Sequence, residues 1–351
     1  MKRARPLPPL LRKPALLLVA LAALLVGAVL VPSALAGPEK AEAGAVVSAK
    51  GQKSTGAEPA GTGEAAEAEE STKAGKSTGG DKATGGEEST GTKKAGGAEK
   101  RKPVKAEAVS DRKGVSMNPV PGASEALADV GASWYYNWAS GTGDITKPAG
   151  TEFVPMIWGR DNVNDSDLNR AAREGSQLLG FNEPDLPGQA EMSVEEALDL
   201  WPRLEATGMR LGAPAVAYGG DTAGGWLDRF MSGAEERGLR VDFIPLHWYG
   251  ADFGPNAVDH LRSYVQAVHD RYGKPVWLTE YALIDFSGST PRYPGAQQQV
   301  DFVNGSTAML EGLPFVERYA WFTLNTEVHR TGLYDGSVPN ASGRAYRQVG
   351  N

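Results

Sequence analysis

Two glutamates 97 positions apart are the residues of this chain best suited to paired acid–base chemistry. Glu183 follows the run Leu178-Leu179-Gly180-Phe181-Asn182, and Glu280 follows Val276-Trp277-Leu278-Thr279, so each carboxylate stands just beyond a mostly apolar stretch. Cleavage of a glycosidic bond uses two such groups across a sugar ring, one protonated and one ionised. At about 5–5.5 Å the second carboxylate acts as a nucleophile, whereas about 6.5–9.5 Å leaves room for a water. Either glutamate alone reads equally well as a loop carboxylate or a strand-end ion pair. The pair, each member flanked by aromatics, points to catalysis.

The same kind of position gathers aromatic and amide side chains. Trp138, Trp158, Asn182, His247, Trp248, Tyr249, Tyr281 and Trp321 all stand at or near the ends of apolar runs. Ring faces pack against the apolar faces of sugars, while a few polar groups take the hydroxyls. These eight are the expected substrate-binding residues, although core packing explains each aromatic taken singly. Trp201 and Trp226 lie in helical stretches and are assigned to packing. Trp277 is an odd number of residues from Glu280 and is expected to face the helices. Asp185 is expected to cap a loop rather than to act as a third acid. The four histidines form no metal-binding motif and there is no cysteine, so no metal and no cofactor is expected.

Such residues need a scaffold that brings strand ends together. From residue 113 onward, short apolar runs at 114–117, 133–138, 153–158, 178–181, 210–216, 243–248, 276–281 and 319–324 alternate with amphipathic stretches. Helices are predicted over 165–178, 193–207, 222–237, 256–272 and 296–311, the second opening with the capping pair Ser193 and Glu196. Continuous apolar runs suit parallel strands covered on both faces. Eight of them in about 240 residues match a single α/β domain of the (β/α)8 TIM-barrel type, whose strand ends converge on one mouth. The first run is the weakest. No Gly-x-Gly-x-x-Gly follows an early strand, which disfavours a dinucleotide-binding fold.

The rest of the 351 residues reads differently. Residues 1–36 run from five basic groups through an apolar stretch to Pro32-Ser33-Ala34-Leu35-Ala36, the order of a cleavable signal peptide. Residues 37–112 form an Ala/Gly/Lys/Glu-rich linker. Its first 74 residues hold no Leu, Ile, Met, Phe, Tyr or Trp and carry 12 basic and 12 acidic groups, so they have almost nothing to bury and are expected to be disordered. A secreted or envelope-associated protein follows, with no stable membrane insertion once the signal is cleaved, and a monomer is expected. The overall charge of -7 conceals a remainder of 19 basic and 31 acidic residues, a net -12 that disfavours nucleic acid as a partner and suits a neutral polysaccharide.

The segments Trp134-Tyr135-Tyr136-Asn137-Trp138, Phe153-Val154-Pro155-Met156-Ile157-Trp158-Gly159, Leu179-Gly180-Phe181-Asn182-Glu183-Pro184-Asp185, Leu246-His247-Trp248-Tyr249 and Leu278-Thr279-Glu280-Tyr281 together resemble the glycosyl hydrolase catalytic-core family. Its characterised members are endo-β-1,3-glucanases of glycoside hydrolase family 128. The resemblance spans residues 113–350 and implies a retaining barrel glycosidase with Glu183 as acid/base and Glu280 as nucleophile. It further implies that Asn182 holds the sugar 2-hydroxyl and that β-1,3-glucan or a related polysaccharide is the partner. Two other readings stand beside it: a retaining glycosidase of another β-glycan, and a non-catalytic carbohydrate-binding wall protein.

Overall fold

The structure, a computed structural model, describes residues 110–350. The predicted signal and all but the last three residues of the predicted linker lie outside the described residues. Strands and helices alternate: β1 (Lys113–Ser116), α1 (Ala123–Val130), β2 (Trp134–Tyr136), β3 (Glu152–Phe153), α2 (Asp165–Glu174), β4 (Gln177–Leu178), α3 (Val194–Glu205), β5 (Arg210–Leu211), α4 (Trp226–Glu236), β6 (Ile244–Gly250), α5 (Ala257–Tyr272), β7 (Val276–Leu283), α6 (Ala296–Glu311) and β8 (Val316–Trp321). A short antiparallel pair, β9 (Tyr334–Asp335) and β10 (Val338–Pro339), leads into α7 (Ala341–Arg347). All five predicted helices are present within a few residues of the expected bounds. Ser193 caps α3 as its spacing implies, accepting the Glu196 N–H at 3.0 Å.

A six-stranded parallel sheet in the order β3-β2-β1-β8-β7-β6 forms a barrel-like core, and β4 and β5 pair parallel beside it. Parallel bridges at Met156–Leu179 and Gly212–Phe243 link that pair to the chain after β3 and before β6. The thin first strand is real: Gly114 pairs with Trp134 on one side and Ala320 on the other. Its lack of a side chain has a reason, since a Cβ there would lie 2.3 Å from the Trp134 ring.

Two apolar layers hold these elements. The larger lies between strands and helices and includes Leu198, Trp201, Phe230, Val265, Tyr281, Phe302, Trp321 and Tyr346. The smaller lines the inner face of the strands with Trp134, Tyr136, Trp138, Val154, Met156, Leu179, Phe243, Trp277, Ala320 and Phe322. Trp277 thus faces inward, which corrects the expectation that it faces the helices. The cause is a β-bulge. Leu246 pairs with Leu278 and His247 with Glu280, which leaves Thr279 unopposed and breaks the two-residue alternation. Among the described residues no helix is long and apolar enough to cross a membrane.

Candidate active site

The bulge at Thr279 is what aims Glu280. With Trp277 turned inward, strict alternation would send the side chain three residues later outward to the helices. The extra residue returns it to the interior, where it is 4% exposed. Tyr136 and Trp138, two residues apart on and just beyond β2, point to the same place. Tyr136 donates to Glu280 Oε1 at 3.2 Å, and Trp138 Nε1 donates to the same oxygen at 2.8 Å. Tyr249 on β6 donates through a short hydrogen bond to Oε2. Both Glu280 oxygens are therefore accepting from fixed donors. Burial above all, then the Glu280 charge, holds the Tyr136 and Tyr249 hydroxyls far above the usual phenol range, so they remain donors.

Glu183 approaches from the other side. Gly180 lets the chain after β4 press against its neighbour, because a Cβ there would sit 2.8 Å from the Gly212 carbonyl oxygen. Beyond it, Glu183 adopts a left-handed backbone, φ 45°, and Trp138 across the cleft does the same at φ 57°. Such conformations are disfavoured for side-chain-bearing residues and persist where the surroundings impose them. Here the Glu183 N–H donates to the Ala215 carbonyl at 2.7 Å, and its own carbonyl accepts from Leu186 at 3.1 Å.

His247, fully buried on β6, stands between the two carboxylates. Its Nδ1 is 2.9 Å from Glu183 Oε1 and its Nε2 is 3.5 Å from Glu280 Oε1. One carboxylate oxygen from each glutamate and a ring nitrogen lie within 4.8 Å of one another. Burial raises the Glu183 pKa most; the His247 contact pulls it down, and the Glu280 charge adds to the rise. For His247, burial disfavours the charged ring, but the Glu280 charge and the bond to Glu183 outweigh it and raise its pKa. The cluster therefore sets a glutamate with raised proton affinity, Glu183, beside a carboxylate bound by donors, Glu280. The same trio could ligate a cation, which would have to compete with Tyr136, Trp138 and Tyr249 for Glu280.

The remaining expected residues divide. Asn182 is buried at the site, donating to Gln189 at 3.2 Å and leaving its buried Oδ1 without a protein partner. Trp158 is half-buried against the inner-face cluster, and its carbonyl accepts the Asn182 N–H at 2.8 Å. Trp248, Tyr281 and Trp321 are not brought to the cleft. Trp248 stacks on Phe302 of α6, Tyr281 packs edge-on to Trp321, and Trp321 Nε1 donates to the Thr331 carbonyl. Each neighbours an inward residue, His247, Glu280 or Phe322, so pleating sends it to the helix side.

Two site residues were not singled out from sequence. Tyr136 shares the two-residue spacing with Trp138 that alternation makes meaningful. Phe322 packs edge-on to both Trp138 and Tyr249, two of the donors to Glu280, at centroid distances of 6.0 and 5.4 Å. It lies just past a strand end, and only the strand's orientation separates it from Trp321.

Comparison with known proteins agrees with this geometry. The model of the glycosyl hydrolase catalytic core family matches residues 116–346. A subgroup I endo-β-1,3-glucanase of glycoside hydrolase family 128 from Amycolatopsis mediterranei, solved with laminaritriose, is 68% identical. That match covers 68% of this chain and 99% of that one, with a TM-score of 0.67. Two further structures of that enzyme with laminari-oligosaccharides carry replacements of glutamates 97 positions apart, the spacing of Glu183 and Glu280. A subgroup III curdlan-specific exo-β-1,3-glucanase from Blastomyces gilchristii is 30% identical, over 69% of this chain and all of that one, at a TM-score of 0.57. The alkali-sensitive linkage protein 1 of Schizosaccharomyces pombe is 30% identical over 230 residues; the match spans 63% of this chain and only 40% of that protein. Family model, sequence identity and fold together place the chain in the glycosyl hydrolase catalytic core family, as a member of glycoside hydrolase family 128.

Proposed function

We propose that the chain is an exported endo-β-1,3-glucanase that retains anomeric configuration, with Glu280 as nucleophile and Glu183 as acid/base. The observation that carries this reading is the placement of both carboxylates and His247 within 4.8 Å of one another. Carboxylates with one oxygen of each that close favour the double-displacement spacing over the wider one that admits a water. In the first step a Glu280 oxygen bonds to the anomeric carbon as the glycosidic C–O bond breaks, and the Glu183 proton passes to the departing oxygen. Glu183, now ionised, takes a proton from water, whose oxygen displaces Glu280. Tyr136, Trp138 and Tyr249 hold the nucleophile between these steps, and Asn182, next to Glu183 in the chain, is the amide assigned to the sugar. Because Glu183 must begin protonated, activity is expected to fall as pH rises through its elevated pKa.

The endo preference and the β-1,3 linkage rest on the 68% identity to a subgroup I endo-enzyme, against 30% to the exo-enzyme of subgroup III. The two bridges that tie β4–β5 to their neighbours support a closed ring of eight strands, the (β/α)8 barrel. The charge and apolar order of residues 1–36 supports export, with 37–112 as a tether. A substrate panel tests the reading: laminarin and curdlan should yield mixed oligosaccharides, while cellulose and xylan remain uncut. The first product should keep the β-anomer. Glu280→Gln should reduce turnover by roughly 10⁴-fold, the scale on which loss of a covalent nucleophile is felt. Undiminished turnover in that variant, or a net inverted product, would remove Glu280 as nucleophile.

A further inference from the structure

Asp185 stands two residues beyond the proposed acid/base, and the reaction steps above do not use it. Its Oδ1 accepts the Ala217 N–H at 2.8 Å. Ala217 is two residues past Ala215, whose carbonyl accepts the Glu183 N–H at 2.7 Å and whose backbone bridges Asn182. The chain from Asn182 to Asp185 is therefore fastened twice to the chain from Ala215 to Ala217, once through backbone and once through this side chain. Between the two fastenings lies Glu183 with φ 45°. No arginine or lysine forms an ion pair with Asp185 among the described residues, so its geometry is not that of a salt bridge.

We propose that Asp185 is a positioning residue for Glu183: its side-chain oxygen, by holding the Ala217 N–H, locks the left-handed turn that aims the acid/base at the glycosidic oxygen. This rests on the assignment of Glu183 as acid/base. A disfavoured backbone conformation relaxes when one of its restraints is cut, and a displacement of about 1 Å of a catalytic group can cost about 10²-fold in rate. The tie also has an electrostatic side. Burial above all pushes the Asp185 carboxyl up to about 6, against the pull of the Ala217 N–H. When ionised, it adds negative charge beside Glu183 and so favours the protonated acid. The other titratable groups facing this pair are His247 on β6, Glu280 on β7, Tyr136 on β2, Tyr249 on β6 and Tyr264 on α5.

The test separates aim from charge. Asp185→Ala removes both; Asp185→Asn keeps an oxygen that can accept from Ala217 and loses the charge. Each is assayed on laminarin and on an aryl β-laminarioside whose dinitrophenolate leaves without needing a proton. Asp185→Ala should lose about 10²-fold in kcat on laminarin and at most a few-fold in the rate of the pre-steady-state burst of dinitrophenolate, which reports the first step alone because the second still needs Glu183 as base. Asp185→Asn should recover most of the laminarin turnover, with the basic limb of its pH profile moved to lower pH because a charge that favoured the protonated acid is gone. If Asp185→Ala does not fold, Asp185→Glu keeps the charge, displaces the oxygen by one methylene, and should show the same contrast between substrates.

Equal loss on both substrates, no loss on laminarin, or failure of Asp185→Asn to exceed Asp185→Ala would each overturn the tie. Glu183→Gln on the same two substrates distinguishes this from failure of the underlying assignment. Full laminarin activity in that variant would remove Glu183 as the acid. An impaired Glu183→Gln beside an unimpaired Asp185→Ala would remove only the role of Asp185.

Discussion

The two ends of the same strands carry polar clusters built on opposite principles. At the carboxyl ends, Glu183 and Glu280 face each other across His247, with hydroxyl and indole donors around them and, among the described residues, no arginine or lysine paired to either. At the amino ends, Glu317 on β8 accepts from both terminal nitrogens of Arg210 on β5, at 2.7 and 3.0 Å, and from Trp277 Nε1 at 2.8 Å. Arg318 pairs with Glu152 and lies over the Trp277 ring, 4.3 Å from its centroid. Burial works against the charge of Glu317, but the Arg210 and Trp277 hydrogen bonds prevail and hold its carboxyl below the usual range. A carboxylate given a guanidinium stays ionised and joins strands. One that is buried, and faced by a second carboxylate besides, binds its proton more tightly. The fold thus separates, along the strand axis, its guanidinium-paired carboxylates from the facing pair proposed to react.

If the division is real, damage at one end should appear in rate and at the other in stability. Tyr249→Phe deletes one of three donors to Glu280 while leaving the ring and its contacts with Phe286 and Phe322. Loss of a single preorganised donor at a reacting centre is worth about 10²-fold in kcat. That loss is expected with little change in thermal midpoint, read by steady-state kinetics beside a melting curve. A variant that melts early but turns over normally would erase the distinction.

Glu317→Ala is the mirror experiment. It strips Arg210 of its bidentate partner and leaves Trp277 Nε1 unpaired. The pair is about one-third exposed, with side-chain accessibilities of 33% and 37%, which places the cost well below that of a deeply buried bridge. A destabilisation of about 2 kcal/mol is expected in urea unfolding, with kcat on laminarin unchanged. A kcat loss matching that of Tyr249→Phe would mean that the amino-end network aims the site after all.

The same division explains what could be read without coordinates. Glu183 and Glu280 were legible because an acid just past an apolar run announces a strand end by itself. Both strand-and-helix alternation and the five predicted helices rest on equally local patterns. Side-chain direction was not legible where it depended on pairing. The bulge at Thr279 is a register event between β6 and β7, and no feature of β7 alone reveals that Trp277 and Glu280 share a face. The assignments of Tyr281, Trp321 and Trp248 to the cleft failed for a related reason, since each is one position from the residue that points inward. Asp185 looked like a loop cap and is one; what the sequence lacked was Ala217, 32 residues away, at the other end of its hydrogen bond.

One residue at the amino end breaks the pattern of paired charges. Lys113 opens β1 fully buried, and its Nζ reaches the Val349 carbonyl at 2.8 Å and the Tyr346 carbonyl at 3.3 Å. Oxygens at the end of α7 offer it the negative pole of a helix in place of a carboxylate. That substitute is incomplete: burial lowers its pKa from 10.5 to about 8, against a smaller upward pull from Glu311. Below about 8 the ammonium is charged in folded and unfolded chains alike, and the cost of burying it is fully present. Between about 8 and 10.5 the unfolded chain binds more protons, so Lys113 makes stability rise with pH there, and above that range its penalty is gone. Lys113→Met keeps the length of the side chain without the charge and should lack this rise. From pH 8 to pH 9 the wild type should gain about 1 kcal/mol relative to the variant in urea unfolding. Parallel pH profiles would mean that the two carbonyls satisfy the ammonium as fully as Arg210 satisfies Glu317, and that the amino end contains no unbalanced charge.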